Sequence, residues 1–302
     1  MKKNYLSIDI GGTNVKYAEL DNSGQIIEQG KIKTVLEKEQ FLHEIDRIVN
    51  EYVEQGVKGL AFCAPGKITD TEIHFGGALP FLDGIDFAKR YQNLQIPVAV
   101  INDGKASVLA ENWLGSLKGM KNCAAITLGT GVGGGIIVNG KLLNGAHFQA
   151  GELSFLQLNM NEPGFDGFAG GYASAVQMIR SINRQLSNQD ETDGLAAFKA
   201  INEQNAITTK IFREYCDRIV AVIIDVQAVV DLDAIAIGGG ISAQPILIKG
   251  INEAYDRARA NNPVLKMTLT RPEIVEAKFK NSANLFGALY NLFIRVNGEK
   301  LS

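Results

Sequence analysis

The sequence predicts an α/β protein in which two similarly built halves flank a cleft. Residues 8–14 and 128–135 each run out of an apolar stretch of strand length into glycines and a threonine. The chain has 302 residues, which is about twice the usual length of a domain. Two units of one design in different halves of such a chain favour two domains around one shared cleft.

The first half is predicted to contain a meander followed by alternating helices and strands. Residues 5–10, 15–20 and 25–33 have the apolar patterns of strands and are separated by turn residues. A helix with apolar residues at helical spacing is predicted from Phe41 to Val53. The remaining predicted elements of this half are a strand at 59–64, a helix at 87–91, a strand at 98–101 and a helix from Lys105. Polar residues at the ends of such strands share one sheet edge, where open α/β sheets bind ligands.

The second half repeats this architecture without repeating the sequence. Strands are predicted at 123–128, 135–138 and 141–143. Helical stretches are predicted at 172–184, 194–201 and 206–230, before a strand at 234–237 that runs into glycines. A last helix is predicted at 282–294, and we expect it to cross back over the first half.

Composition and charge exclude several classes of partner. A net charge of -3 with 46% hydrophobic residues gives no general affinity for nucleic acid or for acidic membrane surfaces. The apolar run near the N-terminus is broken by Asp9, which leaves it too short for a signal peptide or a membrane span. Cys63, Cys123 and Cys216 lie far apart in or beside apolar runs, which predicts buried, reduced thiols and a cytoplasmic location.

The two glycine and threonine stretches predict phosphate binding. Glycine permits positive φ and lets backbone amides approach an anion closely, while a threonine hydroxyl adds a donor. Neither stretch has the Gly-Lys-Ser/Thr of a Walker loop, and Gly129, Gly131 and Gly134 match a dinucleotide fingerprint only loosely. Taken singly, each stretch is also explained as an ordinary turn after a strand.

Five segments in the same order along the chain resemble motifs of the ROK family (repressors, open reading frames and sugar kinases) in the actin-like ATPase superfamily. They are Asp9-Ile10-Gly11-Gly12-Thr13, Asn102-Asp103 with Ala110-Glu111, the stretch from Gly129 to Gly135, Gly151-Glu152 and Gly238-Gly239-Gly240-Ile241. The resemblance covers nearly the whole chain. It implies two actin-like ATPase (ribonuclease H-like) domains that flank a cleft, residues 1–115 and 116–281, with the C-terminal segment 282–302 packing back on the first.

The resemblance implies a kinase that moves the γ-phosphoryl group of ATP to a sugar hydroxyl with Mg²⁺. In such an enzyme Asp103 would be the catalytic base, because a sugar hydroxyl is a poor nucleophile that must lose its proton. Asp9 would orient Mg²⁺ through water. The positions implied for phosphate binding are Gly11, Gly12, Thr13, Gly129, Thr130, Gly131, Gly238, Gly239 and Gly240.

Candidate sugar ligands are Asn102, Glu152, Gly66 and His147. Helix capping is the competing explanation for Asn102 and Asp103, since both residue types are favoured caps. A buried acid stabilised by turn amides is the alternative for Asp9. His147 precedes the Glu152 motif, and the competing interpretation is an exposed loop histidine.

The acceptor side departs from the family pattern. ROK sugar kinases usually continue Gly-Glu-Ile-Gly-His before a cysteine cluster that holds structural zinc, whereas Phe155 replaces that histidine and no cysteine lies between Cys123 and Cys216. We therefore expect no structural zinc. Gly170 stands where the family has a glutamate, and we expect it to open room for a second ring or aglycone. The family's Asn-Leu-Pro is Ala78-Leu79-Pro80 here.

The phenylalanines of this region, Phe155, Phe165 and Phe168, have two competing explanations. They either stack on a sugar or repack a loop that has lost its metal. The leading hypothesis is a kinase for a β-glucoside or disaccharide that acts on the 6-hydroxyl. Alternatives within the enzyme class are a fructokinase, a glucokinase or an N-acetylmannosamine kinase.

Two functions outside this enzyme class are alternatives. A sugar-responsive ROK repressor would carry a winged helix-turn-helix ahead of the first phosphate motif, and eight residues precede Asp9. An inactive sugar sensor is the other, and the intact Asp103 argues against it. The expected partners are a small-molecule sugar and ATP, and a homodimer is left open.

Overall fold

The computed structural model describes residues 3–298 and places the strands in two five-stranded sheets and one small hairpin. The elements of the first half are β1 (Asn4–Ile10), β2 (Asn14–Asp21), β3 (Ile26–Lys33), α1 (Lys38–Glu54), β4 (Leu60–Ala64), β5 (Lys67–Thr69), β6 (Glu72–His74), α2 (Phe87–Arg90), β7 (Val98–Asn102) and α3 (Asp103–Leu114). Those of the second half are β8 (Cys123–Leu128), β9 (Val132–Val138), β10 (Lys141–Leu142), α4 (Ala169–Tyr172), α5 (Ala175–Gln185), α6 (Gly194–Asn202), α7 (Ala206–Val230), β11 (Ala234–Gly239), α8 (Pro245–Asn261), α9 (Pro263–Thr268), β12 (Glu273–Glu276) and α10 (Ala283–Asn297).

Both large sheets have the same topology. The first has the strand order β3-β2-β1-β4-β7, with an antiparallel meander joined to two parallel strands. The second has the order β10-β9-β8-β11-β12 with the same directions. The central strands β1 and β8 are largely buried and most of their residues are apolar, as expected for strands covered on both faces. The predicted repetition of architecture is confirmed.

Several predicted boundaries differ from the observed ones. Helix α3 begins at Asp103, two residues before the predicted start, because Asn102 caps it. The predicted helix 172–184 is interrupted, since Ser174 caps α5 by accepting a hydrogen bond from the Gln177 backbone amide. Strand β9 starts at Val132 instead of residue 135. The hairpin β5–β6, the helices α8 and α9 and the edge strand β12 were not predicted.

Helix α3 contacts both large sheets, and helix α10 packs beside it on the first sheet. Helix α3 packs against β4 and β7 of the first sheet and against β8, β9 and β11 of the second. Helix α10 packs along α3 and against β1, β4 and β7. The core here is built from small residues such as Ala106, Ala125 and Ala288, and an added β-carbon at Gly287 would overlap the Ala106 carbonyl. Small side chains thus let the backbones of α3 and α10 approach closely.

The C-terminal helix crosses back over the first sheet, as the sequence indicates. The domain boundaries at residues 115 and 281 stay a prediction, and residues 299–302 of the predicted segment 282–302 lie outside the described residues. Cys63, Cys123 and Cys216 are buried and free, as predicted. Within residues 3–298, no helix is long and apolar enough to cross a membrane.

Candidate active site

A cleft of about 660 Å³ is lined by residues from both halves of the chain. Asn102, Asp103 and Gly66 come from the first half. The second half contributes Glu152 and glycine turns, namely Gly129, Thr130, Gly131, Gly239 and Gly240. The structure therefore brings the predicted base, two of the predicted phosphate segments and most predicted sugar ligands to one place.

Asp103 is the first residue of α3 and directly follows β7. One carboxylate oxygen accepts a hydrogen bond from the Gly104 amide at 2.8 Å, and the residue remains open to the cleft. The protein that surrounds it displaces water and raises the pKa of this carboxyl, and the like charge of Asp9 raises it further. A carboxylate that opens into a cleft and has a raised pKa can accept a proton from a group bound there.

Asn102 caps the helix and fixes a loop at the same time. Its Oδ1 accepts hydrogen bonds from the amides of Gly104 at 2.9 Å and Lys105 at 3.4 Å, so the capping explanation holds for this residue. Its Nδ2 donates to the Gly66 carbonyl at 2.9 Å. Gly66 has φ +95°, and a β-carbon there would overlap the Phe75 carbonyl. The sugar-binding roles of Asn102 and Gly66 stay predictions.

The carboxylate of Glu152 lies in the cleft without a hydrogen-bond partner among residues 3–298. Burial raises its pKa and the charge of Asp103 adds to the rise, whereas the nearby Lys105 ammonium opposes it. A carboxylate that has no protein donor is free to accept hydrogen bonds from a hydroxyl group of a ligand. The sugar-binding role of Glu152 stays a prediction.

Lys105 is a buried cation that sequence reasoning missed. Only 4% of the residue is exposed, and its Nζ donates to Asn144 Oδ1 at 3.1 Å and to the Phe148 carbonyl at 3.0 Å. Burial lowers the pKa of the ammonium group. The side chain therefore ties the helix that carries Asp103 to the loop that precedes Glu152. Lysine in a helix usually signals a solvated face, so the sequence held no sign of this contact.

The second predicted phosphate segment, Gly129 to Gly135, is divided between a turn and a strand. Residues 129–131 form the tight turn between β8 and β9, where the Gly129 amide donates to the Gly131 carbonyl at 3.1 Å. Gly134 and Gly135 lie within β9, and a β-carbon at Gly135 would come within 2.5 Å of the Gly104 carbonyl oxygen. A β-carbon on Gly134 would overlap the side chain of Leu153, so the two glycines permit close packing against different neighbours.

The third predicted phosphate segment, Gly238-Gly239-Gly240, also lies only partly in the cleft. Gly238 and Gly239 belong to β11, and of the three glycines only Gly239 and Gly240 line the cleft. Gly239 has φ +98°, and a β-carbon there would overlap the Leu128 carbonyl, so only glycine fits. Near it, the hydroxyl of Thr127 is buried without a hydrogen-bond partner in the described part of the chain, and Thr127 also lines the cleft.

The first phosphate segment forms the turn between β1 and β2. Its residues Gly11, Gly12 and Thr13 do not line the cleft, and the turn is held by Thr34, whose hydroxyl donates to the Gly11 carbonyl at 2.6 Å. The phosphate roles of these three residues stay a prediction.

Asp9 precedes that turn and is buried, with 7% of the residue exposed. Its Oδ1 accepts a hydrogen bond from Asn284 Nδ2 at 3.0 Å, and its Oδ2 lies 3.7 Å from Lys16 Nζ. Burial raises the pKa of this carboxyl, although Asn284 and Lys16 lower it. Both partners line the cleft, and the sequence analysis missed them. Lys16 lies opposite Asp9 in the β1–β2 register, a signal that the predicted meander contained.

The expected open space at Gly170 is not there. Gly170 is buried, and a β-carbon on it would overlap the ring of Phe165 and come within 2.9 Å of Ser154 Oγ. Of the three phenylalanines in this region, Phe155 alone lines the cleft, whereas Phe165 and Phe168 pack edge-on against it. The glycine therefore makes room for an aromatic side chain of the protein itself.

His147 is exposed on its loop and does not line the cleft. The structure thus agrees with the exposed-histidine interpretation and does not bring this residue to the other candidate sugar ligands. No group of three or more His, Cys, Asp and Glu side chains within residues 3–298 is arranged to hold a metal ion.

Comparison with known proteins places this arrangement in a family. A model of the ROK family matches residues 5–294. The chain is 26% identical to the beta-glucoside kinase of Listeria monocytogenes over 300 residues, which is 96% of this chain and 98% of that protein. It is 27% identical to the glucokinase of Halalkalibacterium halodurans over 280 residues, which is 83% of this chain and 85% of that protein.

Among solved structures, a ROK family protein from Streptococcus pneumoniae TIGR4 in complex with sucrose superposes with a TM-score of 0.87 at 26% identity. The match covers 98% of this chain and 100% of that one. The chain therefore belongs to the ROK family and has the two-domain actin-like ATPase fold.

Proposed function

We propose that this protein is an ATP-dependent sugar kinase in which Asp103 is the catalytic base. The observation that carries the proposal is the position of the Asp103 carboxylate, which opens into a cleft shared with the turn of residues 129–131 and the free carboxylate of Glu152. Relatives named beta-glucoside kinase and glucokinase, matched over most of their length, support the same reaction class.

The acceptor hydroxyl would lie beside Asp103 and lose its proton to that carboxylate as the new O–P bond forms. Glu152 would accept a hydrogen bond from another hydroxyl of the sugar and so orient it. Backbone amides of the turn at residues 129–131, and those near Gly240, would face the phosphates of ATP. Lys16, which lines the cleft, would add positive charge near the transferred group.

The residues present fit a magnesium ion that is bound mainly through the nucleotide. Mg²⁺ prefers oxygen ligands, keeps several waters and usually takes only one or two carboxylates from the protein. Asp9 would supply one such carboxylate. The ion neutralises charge on the phosphoryl oxygens when it is bound, and Asp9 would hold its waters while Asn284 and Lys16 fix the Asp9 side chain.

For the acceptor we propose a β-glucoside or a disaccharide, phosphorylated on the 6-hydroxyl of the glucosyl ring. The similarity to beta-glucoside kinase extends over nearly the whole chain, and the similar structure from S. pneumoniae holds sucrose, which is a disaccharide. Glucose is the second candidate because a glucokinase is also among the relatives. The buried Gly170 gives no support to either, since Phe165 fills the space beside it.

The test is a screen for ADP release with ATP, Mg²⁺ and a panel of glucose, fructose, mannose, N-acetylmannosamine, cellobiose and gentiobiose. The proposal predicts that kcat/KM for a β-linked disaccharide equals or exceeds that for glucose. Turnover of a monosaccharide at least about tenfold more efficiently than every disaccharide would reject the β-glucoside assignment and favour the glucokinase alternative. ADP release that needs no sugar, or none with any sugar, would reject the kinase itself.

A further inference from the structure

Two exposed phenylalanines, one from each half of the chain, line the same cleft as Asp103. Phe75 is 77% exposed and Phe155 is 63% exposed. Single exposed apolar side chains are common on protein surfaces. Two aromatic rings in one ligand-sized cleft that also holds carboxylates are typical of a site that binds an amphipathic molecule.

Phe75 is held in a conformation that a bulky residue rarely adopts. Its φ is +52°, in the left-handed region where such residues are genuine outliers. The Phe75 amide donates to Asp83 Oδ1 at 2.7 Å, and Gly66 packs against its carbonyl with no room for a β-carbon. Local strain of this kind persists where the surrounding structure fixes it, most often at ligand-binding sites.

Phe155 is also fixed. It ends a short turn in which Ser154 Oγ both donates to the Val132 carbonyl and accepts from the Val132 amide, each at 3.1 Å. The rings of Phe168 and Phe165 lie edge-on to it, with centroids 6.1 Å and 6.3 Å away. Neighbouring residues therefore hold both Phe75 and Phe155 in place at the cleft.

We propose that Phe75 and Phe155 form an aromatic subsite that binds the second ring or the aglycone of the acceptor. This inference rests on the proposed function, and it names the residues that would distinguish a glycoside from a free monosaccharide. The C–H face of a pyranose is apolar, as is an aryl aglycone, and either one stacks on an aromatic ring. The ring to be phosphorylated would lie between Asp103 and Glu152, and the second ring would extend toward the two phenylalanines.

The experiment compares Phe75→Ala, Phe155→Ala and the double variant with the unaltered protein on cellobiose, gentiobiose and glucose. We expect each single variant to raise KM for the disaccharides by about two- to tenfold, because an aromatic contact contributes on that scale. The kcat for disaccharides and both constants for glucose should change less than about twofold, since glucose has no second ring and phenylalanine takes no part in proton or phosphoryl transfer. Phe75→Trp keeps an aromatic ring, so its KM for the disaccharides should be close to that of the unaltered protein.

Leu195→Ala is the matched control, because Leu195 is 78% exposed and does not line the cleft. It should change no kinetic constant. Equal losses for glucose and for the disaccharides, or no loss with either, would overturn the subsite.

Calorimetric titration with cellobiose keeps the subsite testable if the proposed reaction fails. Weaker binding by both single variants supports the subsite without any turnover. Failure of cellobiose to bind the unaltered protein, with or without a non-hydrolysable ATP analogue, would overturn it. Absence of sugar phosphorylation together with normal cellobiose binding would reject the proposed kinase and leave the subsite standing.

Discussion

Gly104 and Gly134 are in direct backbone contact, so that a β-carbon on Gly104 would overlap the Gly134 carbonyl. Gly104 follows Asp103 at the start of α3, and Gly134 lies in β9 of the second sheet. Because this contact needs no side chain, the helix that carries the proposed base lies directly on the half of the chain that carries the turn of residues 129–131.

Gly104→Ala is expected to lower the midpoint of thermal unfolding and to reduce kcat. Overpacking a tight contact typically costs about 1–3 kcal/mol, which exceeds the gain of about 1 kcal/mol from placing alanine in a helix. Gly133→Ala is the control for stability, because its β-carbon would meet only ordinary contacts, such as Thr127 Cβ at 3.6 Å. Equal unfolding midpoints for both variants, measured by calorimetry, would contradict the close-packing role.

Lys105→Met is expected to weaken sugar binding selectively. The substitution removes the two hydrogen bonds that hold the loop before Glu152, so we predict a rise of about tenfold in KM for the sugar with KM for ATP nearly unchanged. Asn144→Ala removes one of those acceptors and should give a smaller change in the same direction. Steady-state kinetics with each substrate varied in turn would check this, and equal increases in both KM values would show that Lys105 supports only the general fold.

The sequence could predict the strand-end residues but not what packs against them. Asn102 and Asp103 follow a recognisable buried strand, so their place at the sheet edge follows from local pattern. Asn284 reaches Asp9 from 275 residues away along the chain, and Lys105 points into an interior that only the assembled fold creates. No local period or spacing encodes such contacts.

Glycine positions were the least reliable basis for predicting the site, because a glycine can form a turn that lines a cleft or can permit close packing of two backbones. In the turn at residues 129–131 it allows a tight reversal that lines the cleft, whereas Gly135 allows α3 to approach β9. The sequence alone does not distinguish these two roles of glycine. The prediction for Gly170 was wrong for a related reason. The absence of a side chain predicted space for a ligand, but the ring of Phe165 occupies that space.

Asp9→Asn is expected to change stability in a pH-dependent way. The pKa of Asp9 is raised in the folded protein, chiefly by burial, so the folded state holds this proton more tightly than the unfolded state does. The contribution of Asp9 to stability is therefore present at low pH and lost as the pH rises through the folded-state pKa. Asparagine does not ionise and retains an oxygen for the Asn284 amide.

The difference in unfolding midpoint between Asp9→Asn and the unaltered protein should accordingly move in favour of the variant from acidic to neutral pH. Thermal unfolding followed by circular dichroism across that range measures it. A difference that is independent of pH, or that moves in favour of the unaltered protein, would show that Asp9 is not destabilised by its burial.

Phosphorylation is expected to require Mg²⁺ and to survive a zinc-selective chelator. Nucleotide phosphates supply most of the oxygen ligands that Mg²⁺ needs, whereas zinc in structural sites is held by thiolate and imidazole groups. Initial rates with excess magnesium, with a magnesium chelator and with a zinc chelator distinguish these cases. One equivalent of zinc in metal analysis of the purified protein, with loss of activity on its removal, would contradict the expectation.

The most direct test of the proposed mechanism is the rate of phosphoryl transfer by Asp103→Asn. Asparagine keeps the shape and the hydrogen bond from the Gly104 amide but cannot accept the proton of the sugar hydroxyl. We predict that kcat falls by about a thousandfold or more, because loss of a positioned base removes two to four decades, while the affinity for an ATP analogue stays nearly the same. Turnover within about tenfold of that of the unaltered protein would remove Asp103 from the mechanism and contradict the account.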